Sequence, residues 1–297
     1  MQGNLFYGSG TALVTPFKGQ RVDYDALEAL IDWQIDSDTD ALIILGTTGE
    51  PSTITPSERS AIIECAVTRV SGRIPLYVGT GSNSTRKSVE QSVEAMRLGA
   101  DGLLVVTPYY NKTSNAGLIE HYTSIADSVN IPIIVYNVPS RTGLNMPPEV
   151  MLELAKHPLL CGFKEACADM AHTMRLFELV GDGVAIYSGN DDQVLPHMAL
   201  GARGVISVAA NIIPQQMHAM TVGWLRGEVN TCRSMQFSLL PLIRSLFCEV
   251  SPIPVKAALS MMGKIENTLR PPLVNLEKKK LQILIKEMQR LRILEKT

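Results

Sequence analysis

The chain has 297 residues, 45% of them hydrophobic and 19% charged, which supplies a large buried core and excludes a disordered chain. Lys and Arg number 27 against 29 Asp and Glu, a formal net charge of −2, so the basic excess that non-specific nucleic-acid binding requires is missing. The longest apolar runs, 103–106 and 131–136, fall far short of the ~20 residues that span a bilayer, and no membrane partner is expected.

The start, Met1-Gln2-Gly3-Asn4-Leu5-Phe6, has neither the basic nor the apolar region of a signal peptide, so a soluble cytoplasmic protein is expected. Runs rich in Val, Ile and Leu then recur at 11–15, 41–45, 75–79, 102–106, 132–136, 161–164, 184–188 and 205–208. They are nearly continuous in apolar character, as strands covered on both faces are. Helical patterns lie between them. Residues 23–35 carry Leu27, Leu30 and Ile31 at helical spacing behind an Asp23 N-cap. Thr55-Pro56-Ser57-Glu58 opens the next, with Pro at the first helical position and Glu at the third. Further helices are expected at 84–98, 116–129, from Pro147 to before Pro158, and at 170–180, 192–200 and 214–225. Eight strands alternating with eight helices predict a (β/α)8 TIM barrel over residues 1–225. A doubly wound open sheet is the alternative, but the first strand ends Val14-Thr15-Pro16-Phe17 with no GxGxxG turn. Residues 226–297 read as a C-terminal helical region: 228–247, interrupted at Pro241, then 254–262, then an amphipathic helix at 276–296 with Leu281, Leu284, Ile285, Met288 and Leu291 on one face. Lys278-Lys279-Lys280 on that helix reads as a solvated face, and the helices pack either on the barrel or on a neighbouring subunit.

A barrel places its chemistry at the C-terminal ends of its strands. Lys164 ends the sixth apolar run on the same face as Gly162, which leaves room beneath its stem if that face is interior. A lysine among apolar side chains loses hydration, its pKa falls, and the neutral amine can form a Schiff base with a carbonyl. The plainer possibility is a lysine that snorkels to solvent or pairs with Glu165 or another carboxylate. Tyr136 ends the adjacent strand; its phenol is either a proton relay or an ordinary core tyrosine. Thr47 and Thr48 lie between two glycines, in a turn that either aims backbone N–H groups and hydroxyls at a carboxylate or merely connects strand to helix. Arg141 has a fork suited to a carboxylate, although a lone arginine in a turn is more often a surface residue. The five cysteines are odd in number and form no CxxC, and the five histidines are scattered, so no disulfide framework and no dedicated metal site is expected. An amine, a phenol, hydroxyls, backbone donors and a guanidinium fit an imine-forming aldolase-type lyase acting on small oxo-acids.

Several segments carry a resemblance: Val14-Thr15-Pro16, Gly46-Thr47-Thr48-Gly49-Glu50, Gly79-Thr80-Gly81 and Thr107-Pro108-Tyr109-Tyr110-Asn111. They continue with Tyr136-Asn137-Val138-Pro139-Ser140-Arg141-Thr142-Gly143, Gly162-Phe163-Lys164-Glu165-Ala166, Gly204-Val205-Ile206-Ser207 and Pro252-Ile253-Pro254-Val255-Lys256. In this order, over nearly the whole chain, they resemble the dihydrodipicolinate synthase branch of the pyruvate-dependent class I aldolases. The resemblance implies that Lys164 forms a Schiff base with pyruvate and that Tyr136 donates and accepts protons. It implies a relay of Thr47 and Tyr110 with Tyr136, Tyr110 reaching in from a neighbouring subunit. It implies that Thr48 holds the pyruvate carboxylate, that Ile206 lies against pyruvate, that Gly189 belongs to the substrate-binding set, and that Arg141 meets the carboxylate of aspartate semialdehyde. The implied product is 4-hydroxy-tetrahydrodipicolinate, in diaminopimelate and lysine biosynthesis. No cofactor is implied beyond the covalent pyruvate imine on Lys164, and the implied assembly is a homotetramer built as a dimer of dimers. Two other readings stand beside it. One is a sugar-acid or N-acetylneuraminate lyase of the same fold, disfavoured by Thr47 and Arg141. The other is an inactive pyruvate-binding or assembly paralogue. Two departures are visible. Asn190 follows Gly189 where many synthases have aspartate. Lys87 and Arg59 stand where lysine-inhibited members carry glutamate and often histidine, so weak or absent lysine inhibition is expected, although Asn83 and Tyr109 of that site remain.

Overall fold

The computed structural model of the protein describes residues 5–295. The leader reading of Met1 to Asn4 and the Lys296 end of the last expected helix lie outside the described residues. Strand β1 (Gly8–Ala12) is followed by a small antiparallel hairpin of β2 (Phe17–Lys18) and β3 (Arg21–Val22). The other strands are β4 (Ala41–Ile44), β5 (Leu76–Gly79), β6 (Gly102–Val106), β7 (Ile133–Asn137), β8 (Gly162–Glu165), β9 (Ala185–Ser188) and β10 (Gly204–Ser207). All but the hairpin form one closed parallel barrel, in the order β1-β10-β9-β8-β7-β6-β5-β4. Closure comes from β1, which pairs with β10 (Gly8 opposite Gly204) and with β4 (Gly10 opposite Ala41). The architecture is the (β/α)8 barrel that the spacing of apolar runs predicts. Among the described residues no helix is long and apolar enough to cross a membrane.

The strands serve two cores. Ile134, Tyr136, Leu104, Tyr187 and Ile206 point into the barrel, while Ile133, Val135, Leu103, Ile186 and Val205 point outward to the helices. This period-two alternation is hidden in the sequence because both faces are apolar. Leu5 and Phe6 plug the N-terminal end of the interior; Phe6 stacks on Tyr187 at 4.4 Å, and the Tyr187 hydroxyl donates to the Phe6 carbonyl at 2.6 Å.

Two expectations change, and one hairpin is unforeseen. The first strand is Gly8–Ala12, not 11–15. Its opening Gly8-Ser9-Gly10 carries no β-former, because Phe6 fills the space a Gly10 side chain would take, 2.7 Å from an added Cβ. The hairpin β2–β3 is too short to produce an alternating pattern. Pro241 does not interrupt its helix, which runs unbroken over Val229–Leu246. Leu239, Leu242, Ile243 and Leu246 flank the proline in the core, and their burial outweighs the one backbone hydrogen bond it deletes. The helix starts follow the capping chemistry: Asp23 accepts from the Ala26 N–H, and Thr55 with Glu58 forms a capping box. The terminal helix, Lys278–Arg290, packs on Val229–Leu246 and Ile253–Met261 of the same chain, burying Leu284 and Met288. Lys278 and Lys279 are exposed, and Lys280 pairs with Glu249 at 3.1 Å.

Candidate active site

Lys164 sits on β8 facing the barrel interior. Gly162, two residues earlier, makes room there: an added Cβ would lie 2.8 Å from Leu5 and 3.0 Å from Ile134. The lysine is only 5% exposed, so it does not snorkel to solvent. Nor does it pair with Glu165, which strand alternation turns to the opposite face. There Glu165 accepts from the Asn137 side chain at 3.0 and 3.1 Å and from the Cys167 N–H at 2.5 Å. No salt bridge to Lys164 exists among the described residues, and its ammonium position lies 4.2 Å from the centre of the Tyr136 ring. Burial lowers the Lys164 pKa from 10.5 to about 7; the carboxylate of Asp191 opposes that shift and Arg141 adds to it. The amine is therefore neutral in a large fraction of molecules near neutral pH.

Tyr136 lies opposite Lys164 in the register of β7 and β8. Burial raises its pKa to about 12, so the phenol keeps its proton at neutral pH and can give it up only to a base generated in the site. Ile206, on β10, lines the same interior. Gly189 closes β9 against β8: its N–H donates to the Glu165 carbonyl at 2.7 Å, and a Cβ there would come within 2.7 Å of Ala166.

Thr47, Thr48 and Gly49 form a single tight turn after β4, with Thr48 buried and Thr47 half-buried. The hydroxyl of Thr15 donates to the Gly49 carbonyl at 2.7 Å and braces the turn. Arg141 stands on the four-residue helix Pro139–Thr142 after β7, exposed at the barrel mouth, and donates to the Ser251 carbonyl at 3.1 Å. The structure thus gathers Lys164, Tyr136 and Ile206 inside the barrel, with Thr48, Gly189 and Arg141 on turns and a short helix at the C-terminal ends of its strands. Tyr110 is not gathered in. It is 90% exposed on the loop after β6 and holds a left-handed backbone with φ of 68°, a conformation bulky side chains avoid.

Two features escape sequence reasoning. Asp191 is fully buried at the end of β9, where its Oδ2 accepts from the Val208 and Ala209 N–H groups at 3.1 and 2.8 Å. Burial raises its pKa, and Lys164 opposes that shift, so the two groups sense each other. The only sequence signal is its place in Ser188-Gly189-Asn190-Asp191. The other is a convergence of Glu165, Cys167 and His172, whose ligand-type atoms lie within 4.8 Å of one another. The scattered histidines gave no hint of it. These groups are engaged with their neighbours: Asn137 and the Cys167 N–H occupy Glu165, and the Asn145 amide faces the Cys167 sulfur at 3.6 Å and His172 Nδ1 at 3.3 Å. The cluster is a hydrogen-bond network that pins the outer face of β8. A cleft of about 500 Å³ opens between Pro139, Ala166, Asp191 and the helix bearing Ile243, with Phe247 just past its end.

Residues 5–291 match the model of the dihydrodipicolinate synthetase family. A 4-hydroxy-tetrahydrodipicolinate synthase of Thermoanaerobacter sp. (strain X514) is 52% identical over 281 residues, covering 94% of this chain and 95% of that protein. One from Alkaliphilus oremlandii is 49% identical over 290 residues, covering 98% and 100%. Among solved structures, dihydrodipicolinate synthase from Thermotoga maritima superposes with a TM-score of 0.96 at 41% identity, covering 97% of this chain and 99% of that one. A monomeric dihydrodipicolinate synthase variant also gives 0.96 at 41% identity, covering 97% and 98%.

Proposed function

The chain belongs to the dihydrodipicolinate synthetase family, and on that premise we propose how its residues divide the work of the reaction. It is a lyase that condenses pyruvate with aspartate semialdehyde through a lysine Schiff base to give 4-hydroxy-tetrahydrodipicolinate, in diaminopimelate and lysine biosynthesis. The observation that carries the assignment of residues is Lys164 itself: buried, without a salt bridge, with its pKa depressed to about 7, and beside the Tyr136 phenol on the neighbouring strand.

The neutral Lys164 amine attacks the ketone carbon of pyruvate, and loss of water leaves the imine. Tyr136 supplies and retrieves the protons, its burial keeping the phenol protonated until the hydroxide-like leaving group needs it. Thr47 and Tyr110 extend this relay. The backbone N–H and hydroxyl of Thr48 receive the pyruvate carboxylate, Ile206 and Gly189 shape the space beside it, and Arg141 at the mouth receives the carboxylate of the semialdehyde. Loss of a C3 proton gives the enamine, which attacks the aldehyde. The substrate's amine then displaces Lys164 by transimination and closes the ring. No cofactor takes part beyond the covalent imine. Tyr110, exposed and strained in the single chain, is suited to complete a neighbour's site. The proposed assembly is a homotetramer arranged as a dimer of dimers, and its proposed setting is the cytoplasm. Residues 1–225 carry the chemistry, and residues 226–297 buttress it.

Borohydride reduction in the presence of pyruvate tests the core of this reading: a pyruvate-dependent mass increase is expected on Lys164, and none anywhere would refute the Schiff base. Turnover with aspartate semialdehyde, and none with N-acetylneuraminate or 2-keto-3-deoxygluconate, separates the synthase from sugar-acid lyases.

A further inference from the structure

Lys256, on the C-terminal helix Ile253–Met261, is a fully buried charge outside the reaction centre. Its ammonium meets Glu50 Oε1 at 2.5 Å, with the two side chains 0% and 2% exposed. Glu50 is two residues past Thr48. It ends the Thr47–Gly49 turn in a left-handed backbone, φ 56° and ψ 44°, and its N–H donates to the Thr47 carbonyl at 3.2 Å. Its second oxygen accepts from the Arg270 N–H at 3.1 Å. Arg270 in turn reaches the carbonyls of Thr53 and Gln20 at 2.7 and 2.8 Å and pairs with Glu58. Lys256 and Arg270 both lie over the Phe17 ring, at 4.1 and 4.4 Å from its centre. Thus two residues from the C-terminal region clamp one carboxylate that ends the turn after β4.

Buried ion pairs are poor sources of stability, because desolvation cancels most of the attraction, and apolar substitutes of like shape serve as well. What such a pair supplies is geometry: a carboxylate held from two sides lets its backbone adopt only one direction. Glu50 needs this, since a non-glycine left-handed residue relaxes unless its surroundings forbid it. We propose that Lys256 is a positioning residue: through Glu50 it fixes the Thr47–Thr48 turn in the direction that receives the pyruvate carboxylate. The inference rests on the role assigned above to Thr47 and Thr48, and it makes the C-terminal region part of the active-site scaffold.

The test compares Lys256→Met, Lys256→Arg and the double variant Lys256→Met/Glu50→Gln in the full-length enzyme. Lys256→Met strands a buried carboxylate; the double variant removes both charges and so keeps the fold even if the single variant loses it. The double variant is expected to show a Tm close to that of the unmodified enzyme, with kcat/KM for pyruvate reduced by about 10²-fold, as misplacement of a substrate-orienting group does. KM for aspartate semialdehyde should stay unchanged, and saturating pyruvate with borohydride should still label Lys164. Lys256→Arg should recover part of the loss. A folded double variant with unaltered KM and kcat for pyruvate would overturn the proposal, as would an activity loss that merely tracks the unfolded fraction in all three variants. If the unmodified enzyme takes no pyruvate label on Lys164, the Schiff-base assignment itself fails, a result distinct from either of these.

Discussion

Burial changes the protonation of a single lysine. Lys164 releases its proton near pH 7 in the folded protein but near 10.5 when unfolded. Two pH dependences result, and both rise with pH. Imine formation requires the neutral amine, so the rate of borohydride-trapped adduct at low pyruvate should climb as pH rises through about 7 and level off above it. The folded protein binds fewer protons than the unfolded chain between about 7 and 10.5, so this group's effect on stability improves across that window and is most unfavourable at and below about 7. Lys164→Met should therefore abolish the adduct yet raise Tm at pH 6, by about 2–4 °C for each kcal/mol relieved. At the mouth, Arg141 supplies a local positive charge in a chain whose formal net charge is −2. Arg141→Ala removes a charged hydrogen bond worth about 1.5–3 kcal/mol, so kcat/KM for aspartate semialdehyde should fall roughly 10- to 150-fold. An unchanged value in steady-state assays would take Arg141 out of the site.

Elements deliver these residues by short, braced connections. The turn after β4 is held by Thr15 and by the Glu50–Lys256 pair, the end of β8 by the Asn137–Glu165 network, and the β8–β9 junction by Gly189. At Gly189 a methyl group would meet Ala166 at 2.7 Å and the Glu165 carbonyl at 3.0 Å, the residue directly after Lys164. Gly189→Ala should cost about 1–3 kcal/mol from overpacking, read as a lower denaturant midpoint. Because the clash lands beside Lys164, the trapping rate should fall with it. Wild-type trapping kinetics in this variant would mean that the strand ends tolerate displacement.

For the whole molecule, the barrel and the C-terminal helices share one outer core, in which Leu239, Leu242, Ile243 and Val255 join the barrel's own Val205 and Ile212. The barrel and the C-terminal helices thus form one packed unit. Tyr110 is the residue the single chain leaves unexplained. Tyr110→Phe should reduce kcat by roughly 10²-fold or more without lowering Tm, as loss of a proton-relay hydroxyl does. Conditions that dissociate the proposed homotetramer should cause a similar drop, measured by activity against sedimentation. Feedback regulation is also decided at this scale. Lys87 is an exposed cation on the helix Thr85–Arg97, and Arg59 is buried with its guanidinium on the Gly79 carbonyl at 2.8 Å. Neither offers a carboxylate to an effector's ammonium group, so lysine should inhibit weakly or not at all. Strong inhibition at sub-millimolar lysine would show that the site recruits charge from elsewhere.

The sequence by itself determined the barrel, its helix caps and the chemical inventory, because these depend on local spacing: apolar runs 21 to 34 residues apart, Asp23 and Thr55 before apolar faces, and motifs written contiguously. It placed the first strand late because Gly8-Ser9-Gly10 owes its strand state to Phe6 and Ile43 packing around it. It expected a break at Pro241 that burial on both sides overrides. Only the tertiary structure decided which face of β8 looks inward, and hence that Lys164 is unpaired while Glu165 is turned away. Only it brought Asp191 into the field of Lys164, and Lys256 across 206 residues of chain to Glu50. Such contacts join residues distant in sequence through the closure of the barrel, and no periodicity along the chain encodes them.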